Sequence, residues 1–260
     1  IDYVYHGADT TSYFKQPDPI RMEKRRQLLH CGPESFVFIN VNRNSHRKDL
    51  AQTLLAFSIF RKKHPDSKLY LHAVPRDNGI FIDYMIKDLE LPADSIHLPQ
   101  NYNTHTGFPE KFMNDLYNIA DCAITTTLGE GWGLLASEAF AAGLPLIAPD
   151  NTVHPEIMGH GERGFLYPCL EKVWIDSSGY RQRGRLSDIV AAMERVRRLK
   201  EKSPEKLREV TTRAREFAEK YSWENIGKQW VEIFDEVSAS EYRKSNQEVN
   251  KQSTDIGNFI

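Results

Sequence analysis

The stretch CAITTTLGEGWGLLASEAFAAGLPLIAP, residues 122–149, decides the fold. A short apolar run ends in three threonines, a glycine-bracketed turn follows, and a helical pattern of small apolar residues leads through Gly-Leu-Pro into a second apolar run. Both runs are continuous rather than alternating, the pattern of strands buried on both faces. The stretch therefore reads as strand, turn, helix, strand: one β-α-β unit of a parallel sheet. Its crossover is expected to be right-handed.

The same rhythm extends outward. Upstream, SFVFINVNR (35–43) reads as a strand and DLAQTLLAFSIFRKKHP (49–65) as a helix with Asp49 near its start and Pro65 as its stop. KLYLHAVP (68–75) is a second strand, IFIDYMIKDLEL (80–91) a helix, IHLP (96–99) a short strand, and PEKFMNDLYNIA (109–120) a helix with Pro109 near its start. Downstream, HPEIMGHG (154–161) is a short helix and GFLYP (164–168) a last strand. The expected fold class is thus α/β, a Rossmann-like doubly wound parallel sheet. Ligands of such sheets sit beyond the carboxyl ends of the strands, here the loops 42–48, 75–80, 99–109, 127–134 and 149–155.

KVWIDSSGYRQRGR (172–185) reads as a basic surface loop. From residue 186 the pattern is helical only, over 186–200, 204–221 and 222–237, with Trp223 and Trp230 on the apolar side of the last helix. The expected organisation is a linker over 1–20, the parallel-sheet domain over 21–185, packed C-terminal helices over 186–238, and a polar tail over 239–260.

Composition narrows the partners. The chain has 260 residues and a net charge of -2, so no global basic field favours nucleic acid. No apolar run approaches the length of a membrane span. Cys31, Cys122 and Cys169 are widely spaced and odd in number, which reads as reduced, buried cysteines of a cytoplasmic protein. His46, His72, His105 and His154 form no ligand cluster by spacing, and no metal is expected.

The turn itself matches G-x-G-x-x-A, with Asp150 at the end of the next strand, so an NAD-type dehydrogenase domain is one reading. Gly131 and Gly133 let backbone N–H groups and the helix dipole face a diphosphate. Two details oppose a dinucleotide. The turn falls in the fourth unit rather than the first, and Glu130 sets a carboxylate against the phosphates. Glu138 lies about 6 Å further along the helix axis, among small apolar neighbours. A buried carboxylate needs donors, and it can only accept. A nucleotide sugar, with hydroxyls on both sides of its diphosphate, satisfies both acids.

Residues 127–148, T-x-x-E-G-W-G-L-L-A-S-E-A-F-A-A-G-L-P-L-I-A, resemble the donor-site signature of glycosyltransferase family 4, retaining enzymes of the GT-B fold. The paired glutamates with seven residues between them are its specific part. VNRNSHRKDL resembles the family's Arg/Lys element, with Arg43 and Lys48 five apart; where the family usually has glycine after the lysine, Asp49 stands. NTVHPEIMGHGERGFLYP, YSWENIGKQW and VYHGADTTSYF also resemble family segments, so the likeness runs from about residue 3 to 237.

The resemblance implies roles. Arg43 and Lys48 would hold the diphosphate and offset leaving-group charge, without a metal. Glu130 would orient the sugar and Glu138 would accept from the ribose. Gly131, Trp132, Gly133, Leu134 and Leu135 would line the phosphates and sugar through their backbone, and Leu98 to Asn101 would read the base. It further implies a missing N-terminal domain holding the hydroxyl acceptor (glycan, lipid or protein), any membrane attachment lying there, and a chain that begins at the hinge. A non-catalytic α/β nucleotide-binding module remains the third reading.

Overall fold

The computed structural model describes residues 3–100, 102, 107–175 and 179–256, with side chains as far as 239. Residues Ala8–Glu219 form one compact unit; Ile1–Gly7 with Lys220–Ile260 form a second.

The larger unit is built on six parallel strands: β1 (Val37–Val41), β2 (Lys68–His72), β3 (Ile96–His97), β4 (Cys122–Ile124), β5 (Leu146–Pro149) and β6 (Phe165–Tyr167). Their order is β3-β2-β1-β4-β5-β6. The order reverses between β1 and β4, and a doubly wound sheet opens its ligand crevice at that point. The register there pairs Phe38 with Cys122 and Ile39 with Ala123.

Successive residues of each strand enter opposite cores, which is why the strands read as unbroken apolar runs. Val37, Ile39, Ala123, Leu146 and Ala148 pack with Leu29, Tyr117, Ile119 and Phe140. Phe38, Leu69, Leu71, Cys122, Ile124 and Ile147 pack with Leu54, Phe57, Phe60, Ile82 and Met193. The first face is covered by α1 (Asp18–Leu29), α4 (Glu110–Ile119) and α5 (Leu134–Ala141), the second by α2 (Leu50–Lys63), α3 (Ile82–Asp88) and α7 (Leu186–Lys202). α6 (His154–Ile157) follows β5, and α8 (Pro204–Lys220) follows α7. Cys31, Cys122 and Cys169 are all free and buried.

Two elements depart from the sequence reading. Helix α1 begins at Asp18, inside the stretch assigned to a linker. It lacks an apolar stripe because one of the two residues it buries is Arg25, 1% exposed and paired with Asp121. The basic loop over 172–185 is instead an antiparallel hairpin, β7 (Glu171–Trp174) and β8 (Tyr180–Arg183). Most of its side chains face solvent, so it carries no apolar alternation for a reader to find.

In the smaller unit, the edge of the His6 ring meets Trp223, with centroids 4.8 Å apart, at the start of α9 (Trp223–Ile256). Gly7 lies so close to that indole that a Cβ would sit 2.3 Å from it, a contact only glycine permits. Trp230, Val231, Phe234 and Val237 are exposed along α9, whose backbone stays helical through the stretch read as a tail. Among the described residues no helix is long and apolar enough to cross a membrane.

Candidate functional site

The site lies in the two loops leaving β1 and β4. A column of buried hydroxyls and amides ties them together. Asn40 donates to Thr53 at 2.9 Å, Thr53 meets Thr126 at 2.7 Å, and Thr126 donates to the Asp49 carbonyl at 2.8 Å. The Leu128 N–H reaches the Arg47 carbonyl at 2.8 Å. The threonine run that closes β4 thus fixes where the lysine loop sits.

That brings Lys48 and Glu130 together. Lys48 Nζ stands 2.5 Å from Glu130 Oε1, Arg47 Nη1 stands 3.0 Å from the same oxygen, and Thr127 Oγ1 donates to it at 2.8 Å. Burial alone would raise this carboxyl's pKa, but Lys48, Thr127 and Arg47 outweigh it and the net shift is downward. Glu130 is therefore an ionised acceptor at neutral pH. All three donors converge on Oε1; among the described residues none reaches Oε2.

Arg43 is not part of this cluster. Its exposed guanidinium grips Asp77 through two bonds, of 2.7 and 3.0 Å. Asp49 adopts φ 47°, in the left-handed region that favours glycine. Aspartate is among the residues that tolerate it, and here its carboxylate pairs with Arg183 of β8 at 2.8 Å.

The glycine turn leads into α5, whose N-terminus no side chain caps. Gly133 has φ 84°, and a Cβ on it would lie 3.6 Å from His154 Nε2. Burial pushes the His154 pKa down to about 4, so a neutral imidazole underlies the turn. A Cβ on Gly131 would meet nothing within 4 Å, and that glycine has no positive φ. The protein itself does not require glycine at 131; the space above it is left open.

The other predicted residues divide. The Trp132 ring packs against the core and donates to Ser137 Oγ at 2.8 Å, and Leu135 is buried, so both can serve a ligand through backbone only. Leu134 is exposed. Glu138 is half-buried and accepts from the Tyr117 hydroxyl at 2.5 Å. Burial, helped by Asp9, pushes its pKa up to about 7 against that hydrogen bond. Leu98 lines a cavity of about 520 Å³ with Tyr70, His97, Phe108 and Phe112. Asn101 lies outside the described residues. Among the described residues no three His, Cys, Asp or Glu side chains are placed to hold a metal.

The model of the family Glycosyl transferases group 1 matches residues 22–172. The chain belongs to that family. The chain is 29% identical over 171 residues to D-inositol 3-phosphate glycosyltransferase of Corynebacterium kroppenstedtii, covering 64% of itself and 36% of that relative. In fold it is similar to sucrose-phosphate synthase from Thermosynechococcus elongatus, with TM-score 0.71 and 18% identity over 91% of the chain and 52% of the synthase. It is also similar to Anabaena HepE, solved with UDP and glucose, with TM-score 0.68 and 20% identity over 90% of the chain and 57% of HepE. The chain thus spans between about a third and somewhat over half of the length of these proteins. Family membership disfavours the dehydrogenase reading, as does the glycine turn's place after β4 rather than β1.

Sequence reasoning missed several neighbours of this candidate site: Arg47, Thr127, Asp77 and Tyr117. The threonine run at a strand's carboxyl end was a usable signal. Tyr117 was not findable, since one turn of α4 looks like another until the helices pack.

The two glycines make a paired prediction. Gly133→Ala is expected to lose about 1 kcal/mol of stability, because alanine is strained in the left-handed region. Gly131→Ala should leave the unfolding midpoint unchanged yet weaken a bound nucleoside diphosphate about tenfold. Thermal unfolding and calorimetric titration on both variants separate the two effects.

Proposed function

We propose that this chain is the donor-binding domain of a retaining glycosyltransferase, which moves a sugar from a nucleoside-diphosphate sugar to a hydroxyl acceptor. The observation that carries the reading is the Lys48–Glu130 pair at the sheet's switch point, beside an uncapped helix N-terminus and the open space over Gly131. The diphosphate lies over Gly131 to Leu135. Lys48 and Arg47 face its charge, and Arg43 joins them by exchanging Asp77 for phosphate. Glu130 turns Oε2 to the sugar hydroxyls. Glu138 accepts from the ribose, and the cavity beside Leu98 holds the base. No step calls for a metal. The acceptor is held largely by a further domain, in the cytoplasm, so the isolated chain binds nucleotide without turnover.

Glu138 supplies the test. Only its ionised form can accept two ribose hydroxyls, and its pKa is about 7. Affinity for UDP, GDP or ADP, whichever fits, should rise about tenfold from pH 6 to pH 8, and Glu138→Gln should flatten that rise. Comparing the two chains cancels the titration of the phosphate. The sign for stability is opposite. Between the usual glutamate pKa and 7 the folded chain keeps a proton that the unfolded chain has lost, so stability falls as pH rises through that window. Calorimetric heat with NAD alone, or an unchanged pH profile in Glu138→Gln, would sink the reading.

A further inference from the structure

The donor reading uses no residue of the hairpin β7–β8, yet the hairpin presents two large aromatic faces to solvent. Trp174 and Tyr180 are 64% and 66% exposed. They are cross-strand partners, their rings edge to face with centroids 5.0 Å apart, so each limits the other's rotamers. Beside them a cleft of about 200 Å³ is lined by His46, Asp49, Leu128, Val173, Trp174 and Arg183.

Two further observations tie this cleft to the donor site. His46 lies two residues from Lys48, and Leu128 two from Glu130, so their Cα atoms are within about 7 Å of those of the paired residues. The hairpin is also fastened there. Arg183 pairs with Asp49, and Asn151 donates to the Gln182 carbonyl at 3.2 Å. Asp49 occupies a backbone conformation that favours glycine and uses its side chain to hold the hairpin.

We propose that this cleft is a subsite for one pyranose ring of the acceptor, stacked on Trp174. The inference rests on the donor reading above. A pyranose has an apolar C–H face and a rim of hydroxyls. The indole matches the first, and the Asp49–Arg183 pair with His46 matches the second, the mixture of apolar walls and few fixed polar groups that small-ligand sites show. The volume suits a single ring and is too small for a nucleotide. The location sets that ring against the sugar held by Glu130.

The test uses the 260-residue chain saturated with UDP, or with whichever diphosphate binds. Methyl glycosides of glucose, galactose, mannose and N-acetylglucosamine are titrated, following the Leu128 and Val173 amide resonances. At least one glycoside should give a saturable shift at millimolar concentration. Trp174→Ala should weaken it about tenfold and Trp174→Phe should keep it, with nucleotide affinity unchanged in both. No saturable shift with any of the four, while nucleotide binds, overturns the subsite and leaves the donor reading standing. A loss of nucleotide affinity in Trp174→Ala also overturns it, because the ring then serves the donor. Glycoside binding to a chain that binds no nucleotide removes the donor reading, and the acceptor assignment with it.

Discussion

Replacing Lys48 by alanine is expected to weaken nucleoside-diphosphate binding by about 10- to 100-fold while leaving the fold intact. Two losses act in the same direction. A charge-assisted hydrogen bond to phosphate disappears, typically about 1.5–3 kcal/mol. Glu130 also loses its nearest cation, and its pKa, now held down largely by Lys48, rises toward what burial alone dictates. Arg47 remains 3.0 Å from the carboxylate, so the acid is not stranded and the chain still folds. The effect should scale with phosphate charge: large for a diphosphate, small for the nucleoside. Calorimetry with both ligands on wild type and Lys48→Ala measures the difference. Affinity within twofold of wild type for the diphosphate would place Lys48 outside the site.

Much of this was legible in the sequence because the sheet is buried on both faces. Continuous apolar runs such as FVFINV admit few other readings, and the glycine turn with two acids pointed to the loops where the candidate site lies. What escaped lies where burial is polar. Arg25 hid α1, most of which lies beyond the stretch read as a linker and was assigned no element, because a reader scanning for apolar periodicity passes over an arginine that packs like a core residue. The hairpin escaped for the opposite reason: solvent covers most of both faces, so alternation has nothing to report. Arg43 shows a third limit. Spacing placed it beside Lys48, but spacing holds no information about Asp77, which comes from another loop and pairs with its guanidinium. The threonines were read as strand ends, while their hydroxyls fix the two site loops in register.

Asp121→Ala is the substitution expected to cost the fold most, about 3–5 kcal/mol, the usual penalty for stranding a buried charge. Arg25 and Asp121 have side chains 1% and 4% exposed, joined by bonds of 3.0 and 3.2 Å. The same carboxylate accepts the Val37 N–H at 2.8 Å, at the first residue of β1, and takes Lys200 Nζ at 2.5 Å. Asp121 directly precedes β4, so one side chain clamps β4 to β1, the two strands whose carboxyl ends carry the site. Removing it leaves a buried guanidinium with only the Ser35 carbonyl and the Cys31 thiol as partners among the described residues, neither of them a carboxylate. For a unit of this size the midpoint should fall by roughly 10 °C. Asp121→Asn combined with Arg25→Met keeps an acceptor for Val37 and removes both charges, and should recover more than half of the loss. Urea unfolding of the three chains reads the cycle. A loss below about 1 kcal/mol in Asp121→Ala would mean the clamp is not what sets β1 against β4.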